Sequence, residues 1–362
     1  MDDFKRDLIL LNMVQGIGCI RLKALLDEFG DPHNIFKASV NKLRSIEGIG
    51  LQAAEAIKNA HSDYDISREI GFIKNAGVEV ITLFDKAYPE SLKAIYDPPI
   101  LLYLKGIRGS GDKLSVSIVG SRRCTYYGLN MAEKIASELV DYKIVIVSGL
   151  ARGIDTAAHK GALKNNGRTI AVLGNGLSSV YPAENKELAE RISQNGLLVS
   201  EFPMETKPLR YNFPKRNRII SGMSRALLVV EAAKRSGALI TADFALEQGR
   251  DVFAIPGMAD RYSSNGTNAL IKQGAKLVES ADDILEELDM SKVKTAHVDR
   301  DCSVPVSPRE KNIFNMLSDR PCDIDTIVRK LELKSQQAKF TLLNMEMKGV
   351  IKQLPGKLYI RA

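Results

Sequence analysis

Residues 113–149 read KLSVSIVGSRRCTYYGLNMAEKIASELVDYKIVIVSG, two runs rich in Val and Ile with a helical pattern between them. Each run ends on small residues, Gly120-Ser121 and Ser148-Gly149, and a helix is expected from near Tyr126. Working outward, the same alternation continues through RTIAVLG (168–174), LLVS (197–200), RALLVVEA (225–232), DVFAIPG (251–257) and AKLVES (275–280). Strands with no polar face, separated by helices, require cover on both sides of a parallel sheet. The expected fold class is therefore α/β, a doubly wound Rossmann-like parallel sheet. In such a sheet ligands bind in the crevice beyond the carboxyl ends of the strands, so chemistry is sought just after each run.

After the first run, Gly120-Ser121-Arg122-Arg123 combines a residue that permits a sharp turn, a hydroxyl and two guanidiniums beside a helix start. That combination reads as an anion cradle. Ser148-Gly149-Leu150-Ala151-Arg152-Gly153 follows the second run, Gly174-Asn175-Gly176 the third, and Ser236-Gly237 opens a helix beyond VVEAAKR. Between Thr206 and Val230 stand six basic residues, Lys207, Arg210, Lys215, Arg216, Arg218 and Arg225, and no acid. Tyr211 and Phe213 are interleaved with them, and aromatic faces beside cations suit a single-stranded nucleic acid. No dinucleotide fingerprint is present, since GNGLSS lacks the third glycine of GxGxxG, which argues against a nicotinamide enzyme. His159 lies four residues beyond Asp155 on one helix face, where capping or packing outweighs general-base work. Glu231 at a strand end is expected to orient Arg218.

Around this centre the 362 residues allow two or three domains. Residues 1–66 hold two related segments, LNMVQGIGCIRLKALL (11–26) and LRSIEGIGLQAAEAI (43–57), each helix, Gly-Ile-Gly turn, helix. This is a helix-hairpin-helix or SAM-like pattern, which binds phosphate backbones or packs against protein. Residues 67–288 form the expected extended Rossmann-like domain, 289–307 a linker without periodicity, and 308–362 a small domain. There SPREKNIFNMLSD, DIDTIVRKL and KSQQAKFTLLNMEMKG give three helical patterns before a hairpin around Pro355-Gly356. Three helices and a hairpin make a winged helix, which binds DNA or protein. It carries 11 basic against 6 acidic residues, more imbalance than the whole chain's +7 would suggest. The four cysteines, Cys19, Cys124, Cys302 and Cys322, are widely spaced, so neither a disulfide framework nor a metal site is expected. No apolar run reaches membrane-spanning length, and a cytoplasmic location is expected.

VGSR, SGLARGIDTAAHKGAL, TIAVLGNGL with YP, FPKRNRIISG, VVEA with SGALITA, and GRDVFAIPG together resemble, in order, the motifs of the DNA-processing protein A family (DprA, also Smf). The resemblance runs from about Ala87 to about Val278, and the two flanking domains match the family's layout. It implies a homodimeric, non-enzymatic, cofactor-free protein that binds single-stranded DNA and loads a RecA-type recombinase during natural transformation. It also implies phosphate contacts at Gly120, Ser121, Arg122 and the Ser148-Gly149 turn, with Arg152 and the segment Lys215, Arg216, Asn217, Arg218 at the rim. The remaining candidates are Arg123, Gly174, Gly176, Phe213 and Ser236, with Arg122 foremost. A rival reading is a nucleotide phosphoribohydrolase of the lysine-decarboxylase-like group. That group uses a PGGxGT turn and a nearby Glu, whereas this chain has SGALIT.

Overall fold

The computed structural model describes residues 2–109, 112, 114–290, 307–317, 322–331, 333–354 and 356–361. The chain divides into two compact units, Met1–Thr295 and Ala296–Ala362. Of the expected linker only Asp289, Met290 and Ser307 belong to the described residues; the rest of it, with Cys302, lies outside them, as does Pro355.

The first unit is built on a nine-stranded sheet. All seven apolar runs are strands: β3 (Ser115–Val119), β4 (Val145–Ser148), β5 (Thr169–Val172), β6 (Leu197–Ser200), β7 (Ala226–Val229), β8 (Asp251–Ala254) and β9 (Lys276–Leu277). They pair in parallel. Two short strands preceding them, β1 (Glu79–Thr82) and β2 (Leu101–Gly106), add an antiparallel edge against β6, so the sheet is mixed rather than purely parallel. The spatial order is β1-β2-β6-β5-β4-β3-β7-β8-β9. The chain thus steps outward from β3 to β6, then returns to place β7 on the other flank of β3. This reversal of winding opens a crevice at the carboxyl ends of β3 and β7.

Alternation along each strand feeds two cores. Val116, Ile118, Ile146, Leu228 and Phe253 pack with Ala132, Ile135 and Ala158 of the helices Tyr126–Asp141 and Ile154–Lys164. Their neighbours Val145, Val147, Leu227 and Val229 belong to the other core, with Ile219 and Ile220 of helix Asn212–Gly222 and Ala238 and Ala242 of helix Gly237–Glu247. A strand buried on both faces has no polar side to show, which is why the runs read as continuously apolar.

The amino-terminal helices share the second core. Leu8, Ile9, Leu10 and Leu11 of helix Asp3–Met13 are buried in the same cluster as Leu101–Leu104 of β2. Both Gly-Ile-Gly turns adopt one geometry: Gly16 and Gly48 take φ of +86° and +80°, Ile17 and Ile49 are buried, and Gly18 and Gly50 precede the helices Cys19–Phe29 and Leu51–Lys58. The left-handed φ explains the first glycine of each pair.

The second unit has the expected three helices, Pro308–Met316, Ile324–Lys330 and Ser335–Met347, and three short strands, β10 (Cys322–Asp323), β11 (Ile351–Leu354) and β12 (Leu358–Arg361). β12 lies between the other two in an antiparallel sheet. Ile313, Leu317, Ile327, Leu342, Met345 and Tyr359 form its own small core. Among the described residues no helix is long and apolar enough to cross a membrane, and no group of three His, Cys, Asp or Glu is placed to hold a metal ion.

Candidate nucleic-acid interface

A cleft of about 950 Å³ occupies the crevice at the switch point. Its floor is the turn after β3. Ser121 N donates to Glu231 O at 2.7 Å, binding this turn to the end of β7. A side chain on Gly120 would meet Ile154 Cγ1 at 2.5 Å and Glu231 O at 3.0 Å, so glycine alone lets the two strand ends close up. Ser121 Oγ is committed within its own turn, donating to Arg123 O and accepting from Arg123 N. Arg122 and Arg123 are the exposed cations of the turn, and the Arg122 guanidinium stands over the Phe213 ring at 5.0 Å from the centroid. Phe213 in turn lies 5.6 Å from the Tyr181 ring. Cation and two rings make a platform on which unpaired bases could stack while the guanidinium holds a phosphate.

Behind the platform sit two buried groups of opposite charge, Arg216 and Asp155. Arg216 is 3% exposed; its Nη1 donates to Gly149 O at 2.7 Å and to Val172 O, tying the ends of β4 and β5 to helix Asn212–Gly222. A Cβ on Gly149 would stand 2.6 Å from the Arg216 guanidinium, which would have to shift from its place. Asp155 accepts from Gly149 N at 3.1 Å and Ala151 N at 3.3 Å. Burial pushes its carboxyl up to about 6, against the opposing pull of Arg216, the two backbone donors and Arg122. Burial likewise pulls Arg216 down to about 10, with Asp155 counteracting and Arg122 adding to the fall. The other wall is the start of helix Gly237–Glu247, capped by Ser236, whose hydroxyl accepts from Ala238 N at 3.3 Å, and it brings positive helix-end potential to the cleft.

Of the residues singled out from sequence, Gly120, Ser121, Arg122, Arg123, Phe213, Arg216, Asn217 and Ser236 line this cleft. The others do not, and each for a visible reason. Ser148 is fully buried and its hydroxyl donates to Ile118 O at 2.6 Å. Gly149 spends its N–H on Asp155 and its carbonyl on Arg216. Gly174 is an empty space filled by the Phe213 ring, and Gly176 is hemmed by Pro203 O and Met204 O. Arg152 is exposed but forms a two-point ion pair with Glu184, including Nη2 to Oε2 at 2.9 Å.

The expectation of a continuous basic rim from Lys215 to Arg218 is corrected, because the segment is helical and its side chains diverge. Lys215 lies 5.6 Å from the Tyr211 ring centroid and lines a separate cavity of about 410 Å³ beside the first Gly-Ile-Gly turn. Arg218, 4% exposed, pairs with Asp97 at 3.0 Å and Glu201 at 2.5 Å on that same side. The expectation that Glu231 orients Arg218 also fails: Glu231 accepts from Thr125 N and Thr125 Oγ1, securing the start of helix Tyr126–Asp141. His159 packs as expected, with Nδ1 2.7 Å from Thr169 Oγ1 and burial pulling its imidazole down to about 3. Tyr181, Arg210 and Tyr262 line the cleft without having been chosen as site residues. Tyr262 follows the β8 run, where the strand-end rule would have found it.

With this geometry in hand, comparison with known proteins decides the family. Residues 79–289 match the model described as DNA recombination-mediator protein A. The chain belongs to that family. Residues 302–357 match the DprA winged helix domain and residues 8–62 the SAM-like helix-hairpin-helix tandem, so all three regions accord with family architecture. Protein Smf of Synechocystis is 35% identical, the alignment covering 97% of both chains. Protein Smf of Escherichia coli is 36% identical over 94% of both, and the DNA processing protein DprA of Bacillus subtilis 44% over 65% of this chain and 80% of its own. Among solved structures, DprA from Streptococcus pneumoniae superposes with a TM-score of 0.69 at 38% identity, covering 79% of this chain and 99% of that one. DNA processing protein A from Helicobacter pylori, whose structure is described as showing a single-stranded DNA binding mode, gives 0.53 at 30% identity, covering 58% of this chain and 95% of that one. The family's mixed sheet, helical amino-terminal region and winged helix are thus those seen here.

Proposed function

We propose that this protein binds single-stranded DNA in the cleft at the β3–β7 switch point, works as a homodimer, and loads a RecA-type recombinase onto DNA during natural transformation. The carrying observation is the Arg122–Phe213–Tyr181 stack at the mouth of that cleft. Phosphates follow Arg122, Arg123, Arg210 and the start of helix Gly237–Glu247, while bases lie against the rings. Leu246 and Ile240 stand exposed on that same helix, and these apolar side chains support association with a second copy. The role is one of binding rather than catalysis: both Glu231 oxygens are engaged by Thr125, and His159 is buried away from solvent. That arrangement also weighs against nucleotide hydrolysis.

The test is an anisotropy titration of wild type and Arg122→Ala with a labelled single strand and its duplex at several salt concentrations. Wild type should prefer the single strand, with a log–log salt slope of about −0.7 per phosphate neutralised. Arg122→Ala should weaken binding to every sequence alike and remove about one phosphate from the slope. Duplex preference, or indifference to Arg122, would sink the assignment. Recombinase loading is then read as strand-exchange activity with wild type against Arg122→Ala.

A further inference from the structure

The helix Ser335–Met347 of the winged unit carries Phe340, Leu343 and Met347 with 67%, 55% and 80% of their surfaces exposed. Their spacing, three and four residues apart, puts them on one stripe, opposite the buried Ala338, Leu342 and Met345. Scattered exposed apolar side chains are ordinary, but three large ones in line on one helix face are a contact surface. This is the third helix, the one that a winged helix would send into a major groove. A groove-reading helix gains from donors and acceptors aimed at base edges and phosphates, and these three side chains offer neither.

The charge around the stripe says what would cover it. Of the described acids of this unit, Glu310 pairs with Lys348 and receives Ser307 N, Asp323 caps the helix Ile324–Lys330, in whose first turn Asp325 stands exposed, and Glu346 accepts from Gln353 N. The cations Lys311, Arg329, Lys330, Lys334, Lys339 and Lys352 stand exposed. Lys339 lies beside Phe340 and one turn from Leu343 on the same helix. A second copy of this unit would set like charge against like. We propose that the Phe340–Leu343–Met347 face docks an acidic amphipathic helix of a protein partner, its apolar residues on the stripe and its carboxylates toward Lys339, drawn by the net positive charge of this unit. The inference is independent of where single-stranded DNA binds.

The experiment uses the full chain and a labelled synthetic helical peptide, with Leu and Phe at helix-face spacing and Glu at all flanking positions. A peptide with the same anchors and Lys flanks, and a short DNA duplex, serve as comparisons. The acidic peptide should bind, weaken with salt, and lose at least about tenfold in affinity with Phe340→Ser. Lys339→Glu should weaken it as well, while the Lys-flanked peptide binds poorly. Both substitutions are on the surface, and unchanged melting and unchanged single-strand binding confirm that the fold is kept. The proposal is overturned if the acidic peptide fails to bind below millimolar concentration or is indifferent to Phe340→Ser. Duplex binding lost with Phe340→Ser, without peptide binding, would make the stripe a DNA surface. A shift from larger to smaller species in sedimentation on the same substitution would make it a contact between copies.

Discussion

At the scale of single residues, the cleft is supported by ionisable groups buried for structural reasons, and they make stability depend on pH in opposite directions. His159 is held near 3, below its ordinary value, so the unfolded chain binds the proton first and stability falls as pH drops below about 6.5. Asp155 is held near 6, above its ordinary value, so the folded chain binds that proton first and gains stability as pH falls through about 6. Going from about pH 7.5 to about pH 5, the histidine costs on the order of 2 kcal/mol and the aspartate returns on the order of 1 kcal/mol, so the histidine prevails. His159→Leu should remove the first effect alone. Thr169 Oγ1 keeps its bond to Ile146 O, so no hydroxyl is stranded. On acidification, urea midpoints should show these groups lowering wild-type stability and raising that of the variant, and a parallel response in the two proteins would refute the assignment.

Among elements, the closest contact is that between helices Tyr126–Asp141 and Ile154–Lys164. At Gly161 a Cβ would lie 2.2 Å from Glu133 O, closer than any backbone atom tolerates. Gly→Ala inside a helix ordinarily gains about 1 kcal/mol. Here overpacking, which costs about 1–3 kcal/mol, should outweigh that gain, so Gly161→Ala is expected to destabilise by up to about 2 kcal/mol, read as a lower urea midpoint at unchanged m-value. These two helices carry Gly128 and Ile154, which hold the β3 turn against Glu231, so the same variant should also loosen single-strand binding. Unaltered stability would mean that the helices slide apart without cost.

For the molecule as a whole, the amino-terminal helices and the sheet are one folding unit. Lys5 pairs with Asp85 at 3.0 Å, Asn12 Nδ2 donates to Glu201 O at 3.1 Å, and Leu8–Leu11 enter the sheet's core. Deleting residues 2–62 strips the cover from that core and should yield aggregated or unfolded protein. Deleting residues 296–362 removes a unit with a core of its own and should leave the melting temperature of the remainder within a few degrees of the intact chain's first transition. Calorimetry of the two truncations separates these outcomes, and a stable sheet lacking residues 2–62 would contradict the shared core.

The sequence by itself determined the seven parallel strands and the Gly-Ile-Gly turns, because continuous apolar runs and glycines forced by geometry are local signals, while the strand order that places the switch point between β3 and β7 came from the fold. It also placed Arg122 and Phe213 in the site, since both follow from position beside a strand end or an aromatic-basic segment. β1 and β2 went unread: β1 pairs with β2 and β2 with β6, both antiparallel, an edge set by chain reversal rather than by composition. Only the tertiary structure decided which cation faces the cleft. Within one helix Arg216 turns inward to the carbonyls of Gly149 and Val172, Arg218 turns to Glu201 and Asp97, and Lys215 turns outward over Tyr211. Adjacent helical residues point about 100° apart, and their partners come from β4, β5 and β6, distant in sequence, so a run of like charges does not disclose its faces.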